Sequence, residues 1–444
     1  MTVSLFPMAF FIDTDIFRSV SHSALNVSCP VPAQVSALLG LDSAAVCEPY
    51  FSSIDTWFPF ISRKRLNQGI RANASTETAG LALLLLCMKL VTDTPLVSSA
   101  AESQLYREAR SYLNTIEEVS PMSLYMLQSL VLVALFEMGH GIFPAAYLTV
   151  GRATRIAVLS GVHDRKTATQ LFQMPQTWTY WEEERRTWWA ISILERCLNI
   201  GPTGLPLATP EPTQDDLLPT ADSDWLQGGI GTNAALYTTS FSPGLEIAPF
   251  ARVCQVAHIL GRVINHRNCR KDIQRREFVL DEALQLNATL NALDEHVSGP
   301  MGESRLESDP TANTVEVALC TAARLTLYHM YSCNNPDILS ERLAEESAMQ
   351  TSCLEGLKQI IATRAAVLAR RVIQQGTENI NRSSPLVVQC LYDVATECQW
   401  FIREGNIVDG AGRTMQLLME ALTLLGRRWG IADKCLKLLT LDSE

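Results

Sequence analysis

Apolar residues return every three or four positions along almost the whole chain, and clean two-residue alternation is nearly absent. That is the helical period. It predicts helices over 33–40, 56–68, 76–93, 99–118, 121–138, 143–160, 179–199, 247–268, 272–297, 313–333, 351–375, 385–403, 411–429 and 432–440. Ser120-Pro121 and Ser384-Pro385 each put a serine at a cap and a proline at the first helical position. Gly161, after Leu159-Ser160, suits a left-handed stop. The pattern implies an all-α fold. Residues 199–246, 298–312 and 403–412 interrupt it as long irregular loops, and loops of that length tend to be functional or mobile.

Two of the predicted helices hold charges inside segments otherwise too apolar for a surface. In Tyr147 to Leu159, Val150, Ala153 and Ala157 share a face, while Arg152 and Arg155 lie together on the neighbouring one. Gly151, in mid-helix, costs about 1 kcal/mol relative to alanine, which close approach of another backbone would explain. In Glu182 to Arg196, apolar side chains including Trp189, Ile193 and Leu194 surround most of the circumference, as in a buried helix. A narrow stripe remains, made of Arg185, Trp188, Ser192, Glu195 and Arg196. Unpaired buried charge costs several kcal/mol. Glu195 is therefore expected to pair with Arg196, or with Arg152 or Arg155 across the interface. Three roles stand open for the stripe: a solvated face, a structural ion-pair network, or the polar lining of a cavity that admits an effector.

Composition narrows the function. An apolar fraction of 47% over 444 residues supports a full core and argues against disorder. A net charge of −11 is a poor basis for gripping phosphates, and the basic clusters Arg63-Lys-Arg65 and His266 to Lys271 read as solvated helix ends. The 12 cysteines include no C-x-x-C pair, so neither a zinc knuckle nor a binuclear cluster can be assembled, and a reducing compartment fits. No cofactor is expected. Met1 to Ile12 lacks a basic start, Leu81 to Val91 is too short to span a bilayer, and Met122 to Met138 carries Gln128 and Glu137, so no membrane role is expected. An α-helical prenyl-chain cyclase would need an aspartate cluster for magnesium. Asp215-Asp216 is followed by Leu-Leu-Pro and lacks the third carboxylate. With no H-E-x-x-H, G-x-S-x-G or phosphate-cradling loop, and with His163 at a helix end, the chain is expected not to be an enzyme.

A set of motifs in order carries a family resemblance. These are Phe10 to Asp13; Pro49 to Phe51 with Trp57 to Ser62; Gly151-Arg-Ala-Thr-Arg-Ile-Ala157 with Gly161-Val-His163-Asp; Glu184-Arg185-Arg186-Thr-Trp188-Trp189 with Glu195-Arg196; Gly204-Leu-Pro206; and Asp215 to Pro219. Together they resemble the fungal-specific regulatory domain, or middle homology region, of zinc-cluster transcription factors. Glu195 stands where the family usually has aspartate, and Leu205 where it has arginine. The resemblance implies a large multi-helix regulatory domain, with an entry segment at 1–45, the regulatory core at 46–250 and a helical half at 251–444 packed on the same body. It also implies a transcription regulator of the nucleus (or cytoplasm), responsive to a small-molecule effector, working as a homodimer or with protein partners. The family's C-x2-C-x6-C cluster is absent, so zinc is expected only if such a cluster lies upstream, and DNA is reached only indirectly. A stand-alone partner or inhibitor of full-length zinc-cluster factors is the alternative.

Overall fold

The computed structural model describes residues 9–13, 15–16, 29–40, 42–72, 78–95, 99–119, 123–164, 175–201, 204–213, 215–236, 247–269, 276–298, 314–332, 344–405, 408 and 410–441. Their helices are α1 (Ala33–Leu39), α2 (Ser43–Ser52), α3 (Arg63–Ala72), α4 (Thr78–Thr92), α5 (Gln104–Val119), α6 (Leu124–Gly139), α7 (Ala145–Leu159) and α8 (Trp178–Leu198). There follow α9 (Asp222–Gln227), α10 (Pro249–Cys269), α11 (Arg276–Ser298), α12 (Thr314–Ser332), α13 (Ala344–Gln359), α14 (Ala365–Gln375), α15 (Leu386–Arg403), α16 (Ala411–Gly426) and α17 (Gly430–Leu441). A short turn at Ala9–Ile12 precedes them. Among the described residues the extended structure is one isolated bridge, Leu217 to Ala235. The fold is all-α, as the periodicity predicts.

Two helices are enclosed by the rest and buried around their circumference, α6 along its whole length and α12 over residues 314–328. Every residue of α6 is buried, and α4, α5, α7 and α8 pack around it. Its polar groups have designated partners: Ser123 caps its N-terminus by accepting from Met126 N at 3.1 Å, and Glu137 accepts from Tyr106 and Arg110, both at 2.6 Å. Residues 314–328 of α12 are all buried, with α10, α11, α13 and α15 around them. Here Arg324 reaches Asp294 at 2.8 Å, and Glu316 pairs with Arg252 at 3.3 Å. The α8–α10 contact joins the two groups, and the buried apolar residues form one cluster from Val35 to Leu439.

A second seam closes the body where α17 meets α6. Gly139 gives Trp429 its place, since a Cβ there would lie 2.3 Å from the indole. The indole nitrogen donates to Ser383 O at 3.0 Å, and Arg428 donates to the carbonyls of Asp93 and Val91 at the end of α4. His140 Nδ1 accepts from Gly430 N at 3.4 Å.

The structure revises several boundaries. Trp57–Ser62 is irregular where the period predicts helix: Pro59 supplies no N–H and disfavours helical geometry at Phe58. The helix α2 was not predicted, because it is short and carries Pro49. The predicted 351–375 helix begins at Ala344 and crosses a π-type turn at Ile360–Arg364. Gly161 does stop α7 with φ 69°. Pro385, rather than Ser384, stands at the N-cap of α15, with Ser384 accepting from Leu386 N at 3.3 Å; the Ser120-Pro121 cap lies outside the described residues.

Burial, then the charges of Arg428 and Lys434, lowers His140 from its ordinary 6.5 to about 3. A depressed folded pKa contributes stability that is present above 6.5 and lost as pH falls toward 3. Chemical denaturation across that window should show a steeper acid loss in the parent than in His140→Asn; equal slopes would contradict a neutral imidazole at this seam.

Candidate functional site

Three consecutive glutamates, Glu182 to Glu184, stand in the second turn of α8, and all three are buried. Thr177 caps the helix, and the four-residue repeat sets Glu182 beneath Arg186. The Arg186 guanidinium is wholly buried, and every arm has a partner. Nε donates to Glu182 at 3.0 Å, Nη1 to Pro59 O at 2.8 Å, and Nη2 to Thr220 O at 2.9 Å and Asp222 Oδ1 at 3.0 Å. The rings of Trp225 and Phe250 cover its faces at 4.7 and 5.4 Å. Glu182 further accepts from Arg185 at 2.6 Å, Asn233 at 2.9 Å and Thr220 N at 2.8 Å. Nearby, burial pushes the Asp55 carboxyl up to about 8 against the opposing pull of Arg186.

Glu183 serves the opposite side. It accepts from Ser62 N and from Gln128 of α6, both at 2.9 Å, and pairs with Arg65. Arg65 lies between the rings of Tyr125 and Tyr180 at 4.8 and 4.5 Å. The first half of α8 thus binds two non-helical segments, 58–62 and 216–221. The proline of the second, Pro219, is buried beside Leu218, and Trp189 donates to Leu217 O at 3.2 Å.

The second half of α8 faces a different loop. The Glu195 carboxylate accepts from Ala208 N at 2.6 Å, from Thr209 N at 3.0 Å and from the Thr209 hydroxyl. Its nearest guanidinium is that of Arg196, at 3.9 Å. Of the arginines expected as its partner, Arg196 is the one within ion-pair distance; loop amides supply the hydrogen bonds, and Arg152 pairs instead with Glu117 on α5. Arg196 Nη1 donates to Ser192 O and Thr209 Oγ1, each at 2.9 Å. It packs where α10 has Gly261, at which a Cβ would stand 2.8 Å from Arg196 Nε. Burial lowers the Arg196 guanidinium from its usual value, with Glu195 opposing.

Enclosure is narrower than the stripe predicts. Glu195, Arg196 and Ser192 are buried, Arg152, Arg185 and Trp188 are half-buried, and Arg155 is exposed. Trp188 meets His163, ring centroids 5.9 Å apart. Gly204 has φ 66° and is exposed, as is Pro206. Gly151 meets no other backbone: a Cβ there would find nothing within 4 Å. It lines instead a groove of about 380 Å³ between α7 and α8, which brings Gly151, Arg152, Arg155 and Glu195 together with Leu198 and Ala208.

Sequence reasoning passed over Glu182 and Glu183 and placed Arg65 and Arg267 at solvated helix ends, a reading the structure corrects: both are half-buried and partnered. Arg267 donates to Asn199 O at 3.0 Å, to Ile200 O at 2.8 Å and to Gly201 O, closing the orphan carbonyls after α8. A run of glutamates inside an apolar helix is a visible signal for the first two; a distant arginine capping another helix leaves none. Burial raises the Cys197 and Cys87 thiols to about 12, so neither is an activated nucleophile. Among the described residues no three His, Cys, Asp or Glu side chains gather as metal ligands, and no helix is long and apolar enough to cross a membrane.

The model of the fungal specific transcription factor domain matches residues 48–319, a span that contains α8 and every partner of its first half. The chain belongs to that family. It is 38% identical over 178 residues to Transcription factor BOA15 of Botryotinia fuckeliana (strain B05.10), covering 40% of this chain and 98% of that protein. It is 24% identical over 229 residues to the pigment biosynthesis transcriptional activator pigB of Monascus ruber, covering 49% of this chain and 41% of that one. It is 28% identical over 187 residues to the depudecin biosynthesis cluster-specific transcription activator DEP6 of Alternaria brassicicola, covering 38% and 28%. The chain thus spans less than half the length of these last two relatives. No solved structure matches it. Fold, family and relatives together define a fungal transcription regulator.

Two outcomes test this geometry. Arg186→Met strands the carboxylates of Glu182 and Asp222, so urea denaturation should show a loss of about 3–5 kcal/mol; an unshifted midpoint would mean that the network does not hold the fold. Gly151→Ala should instead stabilise by about 1 kcal/mol, because the new methyl improves helix propensity and meets no neighbour. A lowered melting temperature would show that the groove floor is not open.

Proposed function

We propose that this chain is the regulatory body of a nuclear transcription regulator that controls the genes of a biosynthetic pathway, works through protein contacts and catalyses nothing. The observation that carries this reading is the coincidence of the family match with the α8 network: residues 48–319 contain the helix and the two non-helical segments it clamps. Two relatives bear names of biosynthesis activators, which supports the assignment of target genes. The net charge of −11 supports contact with DNA through a separate module or partner, with zinc belonging to that module. Self-association or a protein partner, and a small-molecule effector, complete the reading.

One finding favours the stand-alone partner as a second reading. BOA15 is matched over 98% of its length by part of this chain, which leaves that transcription factor almost no residues outside the shared segment.

The test joins two assays. Fused to a heterologous DNA-binding domain, the full chain should change reporter transcription relative to that domain alone, while the unfused chain should give no salt-sensitive gel shift. A silent fusion would overturn the regulatory reading, and direct salt-sensitive DNA retention would overturn the indirect route to DNA.

A further inference from the structure

We propose that the groove between α7 and α8 binds a small amphipathic carboxylate, with an aromatic or acyl body and one anionic end, and that occupancy acts on the α8–α10 seam. The inference rests on the regulatory reading above and names the effector chemistry for it. A volume of about 380 Å³ suits a small organic molecule. Tyr147, Leu148, Val150, Ile156 and Leu198 make most of the wall apolar, and Gly151 leaves space above α7 that any side chain would take.

The charges select the sign of the ligand. Of the four ionic groups on the wall, Glu117 and Arg152 pair with each other. Glu195 is held by the amides of Ala208 and Thr209 and the Thr209 hydroxyl, with Arg196 beside it. Arg155 is left without a counter-ion among the described residues, and a carboxylate is the planar anion that a guanidinium fork fits. The route outward is equally short. Ala208 forms part of the wall, and its amide donates to Glu195 at 2.6 Å. The next residue, Arg196, packs on Gly261 of α10. A ligand that displaces Ala208 therefore bears on the side chains that set how α8 meets α10, and its preference for one packing shifts the population.

Isothermal titration calorimetry on the full chain tests this with naphthalene-2-carboxylate and its neutral amide as probes. The carboxylate should saturate at one site per chain and bind roughly tenfold tighter than the amide, the scale of one charge-assisted contact. Arg155→Gln should erase that preference and leave amide binding unchanged, and Gly151→Leu should abolish both. Arg155 is exposed and Gly151 faces open space, so both variants keep the fold, as circular dichroism would verify. Absence of saturable binding at millimolar probe, a preference that survives Arg155→Gln, or parent-like binding by folded Gly151→Leu would each overturn the inference. Such a failure with an active reporter fusion removes the ligand site alone; the regulatory reading falls only with a silent fusion.

Discussion

Buried backbone outside a helix must find hydrogen-bond partners that a helix would supply to itself. In this fold the side chains of α8 supply them. Pro59 O and Thr220 O receive Arg186, Ser62 N reaches Glu183, Thr220 N reaches Glu182, and the amides of Ala208 and Thr209 reach Glu195. Three segments that cannot be helical are thereby stitched to one that is. The charges that do this are affordable inside because each is answered: Arg186 by Glu182 and Asp222, Glu183 by Arg65, Glu195 by loop donors. An apolar α8 would bury just as well and would leave the loops without partners.

This arrangement makes α8 the place where distant parts of the molecule meet. Its first turns touch the 58–62 segment and α6, its middle touches the 216–221 loop, and its end touches the 204–209 loop and α10. A regulator needs such a common element, because a shift at one contact changes the terms of the others. The first half holds the network in which the guanidinium of Arg186 is wholly buried, and the groove opens on the second half of the same helix. The α17 seam, with Trp429 seated against Gly139, holds the far side of the body together.

Helical periodicity made most of the fold legible, because α6 and α12 need little beyond burial on every side. It failed where a residue's task is set from far away. Nothing near Phe58 to Ser62 announces that its carbonyls and amides face α8, although Pro59 does argue against helix. For the site, the stripe from Arg185 to Arg196 marked α8 as a charged interior, and the motif order identified the family. Of the partners of Glu195 only Arg196 was legible, since main-chain amides that answer a carboxylate leave no mark in the sequence. Gly151 was misread for a related reason, since a glycine that accommodates a neighbour and one that leaves a space look alike in one dimension.

The central claim is that α8 side chains, rather than local structure, hold the non-helical segments in place. Native-state hydrogen exchange tests it at Thr220 and Ser62, whose amides donate to Glu182 at 2.8 Å and to Glu183 at 2.9 Å. Amides in irregular segments ordinarily exchange through local opening, well below the free energy of global unfolding. Here both should exchange only with the core amides of α6, at the global value. Rapid exchange at either site, with α6 still protected, would contradict the account.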